Sequence, residues 1–359
     1  EFAGLDPADM AACQARLKQG SRSFHAAARL LPGWCRQRAV ALYAFCRLAD
    51  DRVDLGPGDA RVLERLRERL DAVYADRPWP DPADRALAAF VRATAMPREL
   101  PDALLEGLAW DIEGRHYERL TEVQAYAARV AGSVGAMMAL ALGVRDSALL
   151  ARACDLGVAM QLTNIARDVG EDARAGRLYL PRAWLREAGV DPDRFLAEPA
   201  HGPGLARVIR RLLVVADRLY LRADPGISAL PRGCRPGIAA ARLVYSAIGE
   251  EIERAGGDAV SRRAVVPARK KIRLAALALT APLPGSDPIA LPALAETRFL
   301  VDAVEASHLP VSAARPAAAP ATDGWLSWVI ELFLRLEQRQ SLESGARPMS
   351  ENDVSLEMQ

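Results

Sequence analysis

Cysteine, histidine and aromatic residues are scarce in this chain of 359 residues, and each scarcity removes a class of explanation. The five cysteines, Cys13, Cys35, Cys46, Cys154 and Cys234, include no Cys-x-x-Cys pair. An odd, scattered set reads as reduced thiols rather than as a disulfide framework or a redox motif. Four dispersed histidines leave a zinc site almost nothing to build on. Aromatics make up 6%, and isoleucine and threonine are thin as well, while Ala, Leu, Arg and Glu dominate. That palette favours helix over strand. A long apolar run is missing too. The longest, residues 130–144, lies between Arg129 and Arg145 and falls short of the roughly 20 residues a spanning helix needs. There is no excess of either charge: 47 basic side chains against 46 acidic give a net charge of +1, which offers nucleic acid no basic face. Glu1-Phe2-Ala3 has neither an initiator Met nor a basic-then-apolar leader and reads as a processed end. Sustained period-two alternation, a Gly-rich phosphate loop after a strand and an internal repeat are all absent.

What is present is a globular composition, 51% hydrophobic and 26% charged, punctuated into helices. Residues 6–55 read as two helices parted at Gly20-Ser21 and Leu31-Pro32-Gly33. Further helices are predicted over 59–73, 84–95, 101–118, 121–143, 146–171, 203–223, 236–255, 261–281 and 294–307. The fold class is all-α. Proline-rich stretches near 281–285 and 313–321 predict a main helical domain over 1–285 and a C-terminal extension over 286–359. Within that extension, residues 325–336 form a short amphipathic segment with Trp325, Trp328 and Phe333, readable as a membrane-surface element or as a helix packed on the main domain. The polar last twenty residues read as disordered.

Two constellations carry chemistry. In Arg47-Leu-Ala-Asp50-Asp51-Arg52-Val53-Asp54, the aspartates at 50 and 54 share a helix face with Tyr43 and Arg47. In the run 161–172, Gln161, Asn164, Asp168 and Asp172 again step by three and four beside apolar Met160, Leu162 and Ile165. Like charges at that spacing repel unless a cation sits between them. Carboxylate and amide oxygens are the hard ligands that Mg²⁺ or Mn²⁺ takes, with phosphates completing the shell. One Asp-x-x-x-Asp alone is more often a solvated face. Two of them, each next to arginine and set in apolar helix, point to a diphosphate held by metal ions across a helix-bundle cavity, with Arg22, Arg47 and Arg167 beside it.

The segments 20–25 (Gly-Ser-Arg-Ser-Phe-His), 41–51, 130–135, 161–172 and 176–181 (Gly-Arg-Leu-Tyr-Leu-Pro) resemble the squalene/phytoene synthase family, in order and at its spacing across residues 10–275. The resemblance implies the isoprenoid-synthase helical bundle with a central apolar cavity. It implies a prenyl transferase that joins two geranylgeranyl diphosphates head to head, through prephytoene diphosphate, to phytoene. Asp50, Asp54, Asn164, Asp168 and Asp172 then fall on metal-ligand positions. Ser21, Arg22, Ser23, Arg47, Gln161 and Arg167 fall on diphosphate-contacting positions, and Tyr43 and Tyr245 on the cavity mouth. The run 261–266 resembles a late basic motif, with Arg263 favoured over Arg262. NADPH is not required for that reaction. A cytoplasmic enzyme, peripheral on the inner membrane and near other carotenoid-pathway enzymes, is the implied setting.

Other features have plainer readings. Asp51 is a neighbour of the site or solvated. His25 packs or caps a helix, and Lys270 and Lys271 belong to a solvated face. Gly132, Gly135, Ala136, Met137 and Met138 read as core packing, although small residues there also leave room for a prenyl tail. Farnesyl diphosphate as substrate, giving squalene or dehydrosqualene, is the alternative within the family. A non-catalytic helical assembly protein is the alternative outside it, one expected to have lost ligands from a stripe.

Overall fold

A computed structural model describes residues 5–20, 28, 31–54, 60–280, 283 and 289–307. Among these residues there is no strand, and the elements are helical throughout: α1 (Pro7–Gly20), α2 (Gly33–Asp54), α3 (Ala60–Tyr74), α4 (Pro82–Thr94), α5 (Glu99–Ile112), α6 (Leu120–Ala127), a π-helical turn (Ala128–Gly132), α7 (Ser133–Ala141), α8 (Ser147–Arg174), α9 (Arg182–Glu187), α10 (Pro192–Ala197), α11 (Pro203–Ala229), α12 (Arg235–Arg254), α13 (Ala268–Thr280) and α14 (Arg298–Ala306). No described helix is long and apolar enough to cross a membrane.

The long helix α8 is the axis of the bundle. Asp146 caps its start by accepting from Leu149 N at 3.0 Å. Leu150, Cys154, Val158, Leu162, Ile165 and Val169 bury one side of it, and Gly176 at φ 76° ends the chain's run beyond it. Glycines set the distances to its neighbours. A Cβ on Gly157 would stand 2.2 Å from the Ala131 carbonyl, and one on Gly135 would stand 2.2 Å from the Ala153 carbonyl. The π-helical turn and α7 therefore lie directly against α8, and Ala136 and Met137 are buried there. The single helix predicted over 121–143 is divided by that turn.

The helix predicted to stop at 223 continues through Pro225 to Ala229. Tertiary contacts override the local breaker: Asp224 is buried and takes Arg242 in a two-pronged pair, Nε–Oδ1 2.8 Å and Nη2–Oδ2 3.0 Å. A Cβ on Gly226 would meet Arg152 Cβ at 2.4 Å, so the Pro-Gly step lets α11 close on α8. Nearby, the buried Asp155 serves two arginines, Arg152 at 3.0 Å and Arg222 at 3.2 Å. Both arginines also donate to the Pro292 carbonyl, at 3.3 and 2.9 Å, which fastens residues 289–297 to the bundle. Leu300, Val301 and Val304 of α14 pack into the same core as α2 and α5.

Candidate active site

Asp50 of α2 and Asp168 and Asp172 of α8 lie on half-buried polar stripes bordered by core. On α2, Tyr43, Arg47 and Asp50 are partly exposed while Ala44, Phe45, Leu48 and Ala49 are buried. Arg47 pairs with Asp51 at 2.6 Å and with Asp50 at 3.6 Å. Asp51 is thus the nearer partner of Arg47, which gives it a positioning contact rather than a purely solvated one. Asp54 is the last residue of α2; its side chain, with Ser21, Arg22, Ser23 and His25, lies outside the described residues, as does the segment 325–336.

On α8, Gln161 accepts from Asn164 Nδ2 at 3.4 Å. Asp168 is gripped from two sides. Arg167 donates at 2.7 and 2.5 Å, and Arg263 donates at 2.8 and 3.3 Å. Burial works to raise the Asp168 carboxyl, but these hydrogen bonds and charges prevail and hold it below the ordinary value. Arg263 reaches there because Gly170 admits another backbone. A Cβ at that glycine would stand 2.6 Å from Val260 Cα, and Gly170 N donates to Ala259 O at 3.0 Å. Asp258 fixes the turn that follows by accepting from Val260 N and Ser261 N at 3.1 and 2.9 Å. Tyr245 of α12 adjoins this group. Burial raises its hydroxyl, Arg167 opposes that, and Asp168 adds to it. Tyr43, raised by burial as well, feels Arg47 on its own helix and Tyr245 across the gap.

Asp172 contrasts with Asp168. Burial, then the negative charges of Asp168, Asp111 and Glu171, push it up to about 7 against the opposing charge of Arg177. Asn164 Oδ1 is buried with no hydrogen-bond partner. An orphaned amide oxygen and a crowded carboxylate on one face fit a divalent cation. Asp168 is taken by arginines, and among the described residues no three acidic, His or Cys side chains gather into a metal cluster.

Asp111, absent from the predicted site, stands between the stripes. It is the penultimate residue of α5, and its carboxyl is pushed up to about 6, chiefly by burial, with Asp50 contributing and Arg177 opposing. Tyr179 donates to its Oδ1 at 2.7 Å and Tyr126 to its Oδ2 at 2.9 Å. The rings of Tyr126 and Tyr179 stack with centroids 5.0 Å apart, and Tyr117 closes the cluster at 5.5 and 6.1 Å. Asp111 and Tyr179 open on a small surface cleft that Trp110, Arg115, Arg177 and Leu178 also line. In sequence, Asp111 is one acid near the end of a helix, with no second acid three or four residues away. Tyr179 lies in the Gly-Arg-Leu-Tyr-Leu-Pro segment, the one signal that pointed here.

A helical bundle with two oxygen-rich stripes and arginines at their edge is the setting in which the comparisons with known proteins fall. The squalene/phytoene synthase family profile matches residues 17–270, and the chain belongs to that family of prenyl-transferring enzymes. It is similar to the phytoene synthase of Rhodobacter capsulatus, 52% identical over 310 residues, which cover 84% of this chain and 91% of that protein. It is also similar to the phytoene synthase of Cereibacter sphaeroides, 54% identical over 275 residues, covering 74% and 78%. Among solved structures, a dehydrosqualene synthase in complex with ligand superposes with a TM-score of 0.68 at 29% identity, over 76% of this chain and 95% of that one.

Proposed function

We propose that this chain joins two geranylgeranyl diphosphates head to head, through prephytoene diphosphate, to phytoene, releasing one diphosphate and one proton at each of the two stages. What supports the reading is the pair of polar stripes, Asp50 beside Arg47 and Asn164/Asp172 beside the Arg167–Asp168–Arg263 group, together with the similarity to phytoene synthases. Asp50, Asp54, Asn164, Asp168 and Asp172 would hold Mg²⁺ or Mn²⁺, which would neutralise a departing diphosphate when bound.

The chain's own residues supply the rest. Arg47, Arg167 and Arg263 offer guanidinium forks to phosphate oxygens, with Ser21, Arg22, Ser23 and Gln161 as further contacts. Arg263 sits 46% exposed at the edge, where it can trade Asp168 for an incoming phosphate. Tyr43 and Tyr245 present partly buried rings to the allylic group, and such a quadrupole stabilises a carbocation while excluding water. Asp111, a buried carboxylate raised to about 6 that accepts from two tyrosine hydroxyls, can take up a proton released in the reaction. A nicotinamide is not required, because the final step loses a proton rather than gaining a hydride. The enzyme would work in the cytoplasm, peripheral on a membrane.

Purified Asp50→Asn and Asp172→Asn chains test this. Each should keep the helical circular dichroism of the parent and lose about three orders of magnitude in turnover, the scale of removing transition-state charge stabilisation. Parent-like turnover in either folded variant would sink the role given to the stripes.

A further inference from the structure

Charge is evenly spread through most of the chain, with one exception. Residues 259–280 contain six basic side chains, Arg262, Arg263, Arg269, Lys270, Lys271 and Arg273, and no acidic one, in a chain whose net charge is +1. The structure places this stretch at the edge of the active site. Its first part is tied down by buried Val260 and Val266 and by the Arg263–Asp168 contact, and its second part is α13, which packs along α12. Lys270 turns inward to Glu250 and Glu251 at 2.6 and 2.9 Å. The outward face of α13 carries Arg269, Arg273, Ala276, Leu277 and Thr280, all exposed. Val265, two residues beyond Arg263, is 60% exposed, and Leu277 is 43% exposed. A valine that exposed, while its neighbour Val266 is 2% exposed, is an apolar side chain aimed away from the bundle.

We propose that the 262–265 turn and the outer face of α13 form the surface by which this enzyme docks on a bilayer with anionic headgroups. The argument is one of charge complementarity with apolar residues set inside it: arginines meet the headgroups while Val265 and Leu277 enter the boundary with the acyl chains. Docking in this orientation sets the Asp168 edge of the site against the lipid. On the reading under Proposed function, that is where a prenyl diphosphate would enter and an oily product would leave.

Flotation of the full chain with extruded vesicles, in the absence of substrate, tests the surface separately from the chemistry. The parent should bind vesicles of phosphatidylcholine mixed with phosphatidylglycerol, release them as salt rises, and ignore phosphatidylcholine alone. Arg269→Glu with Arg273→Glu, and separately Val265→Asp with Leu277→Asp, should each weaken binding by about ten-fold or more. Val214→Asp with Leu221→Asp, an exposed apolar pair on α11, should bind as the parent does. All three pairs should turn over detergent-dispersed substrate at the parent rate. Absent or headgroup-independent binding by the parent, unchanged binding in both α13 pairs, or loss confined to the α11 pair would overturn the proposal. A parent that binds these vesicles through α13 but makes no product would leave the surface standing and remove the catalytic reading.

Discussion

Arg263 and Asp168, 95 residues apart in sequence, meet in a two-pronged contact with Nε 2.8 Å from Oδ1 and Nη2 3.3 Å from Oδ2. The same carboxylate is held by Arg167 from its own helix, so two guanidinium groups converge on one acidic side chain at the edge of the site. A phosphate arriving there finds both cations already placed.

Arg263→Gln should raise the KM for geranylgeranyl diphosphate by about ten-fold, with a smaller effect on kcat, because a fork to phosphate is lost while the stripes stay intact. Arg263→Lys should fall between, since the ammonium keeps the charge and gives up the two-pronged geometry. Steady-state kinetics with an unchanged KM would remove Arg263 from substrate binding.

Gly170→Ala acts on the same contact from beneath. The new methyl group would meet Val260 Cα at 2.6 Å, and neither backbone can yield by rotating a side chain. The 259–263 segment must move off α8 and carry Arg263 away from Asp168. The expected result is a KM increase like that of Arg263→Gln, with a stability loss of about 1–3 kcal/mol in denaturant titration. A stable variant with parent kinetics would show that Arg263 is placed by other means.

Asp111 makes a pH prediction whose sign is set by its burial. Its carboxyl rises from 3.8 to about 6 in the folded chain, which therefore binds more protons than the unfolded chain between those values. Stability contributed by Asp111 falls as pH rises through that window. Asn does not titrate, so the stability of Asp111→Asn relative to the parent should improve from about pH 4 to about pH 6, by on the order of 2 kcal/mol. Thermal melts showing a constant difference across the window would contradict the buried, raised carboxyl.

The stripes were legible because helical periodicity turns spacing into geometry: Gln161, Asn164, Asp168 and Asp172 share a half-buried face whatever packs around them. Asp111 was not legible, because its site is assembled by tertiary contacts. Tyr126 comes from the next helix and Tyr179 from the loop after α8, and neither lies at a periodic offset from Asp111. The extension of α11 past Pro225 was hidden for the same reason, since Asp224 and Gly226 are paid for by Arg242 and Arg152 on other helices. The helix predicted over 261–281 begins only at Ala268, because residues 259–261 commit their backbone to Gly170 and Asp258.

Asp155 tests the fastening of residues 289–297. Asp155→Ala leaves Arg152, 1% exposed at its side chain, and Arg222 without their shared carboxylate. Breaking a buried pair from one side costs about 3–5 kcal/mol, so the denaturation midpoint should drop sharply. A loss of less than about 1 kcal/mol, within the range of an ordinary surface pair, would show that the network adds little to the fold.

The most direct test is product analysis of the purified chain with Mg²⁺, supplied separately with geranylgeranyl or farnesyl diphosphate, with and without NADPH. The account predicts phytoene from geranylgeranyl diphosphate, formed equally well without NADPH. Squalene or dehydrosqualene from farnesyl diphosphate, with nothing from the longer substrate, would contradict it.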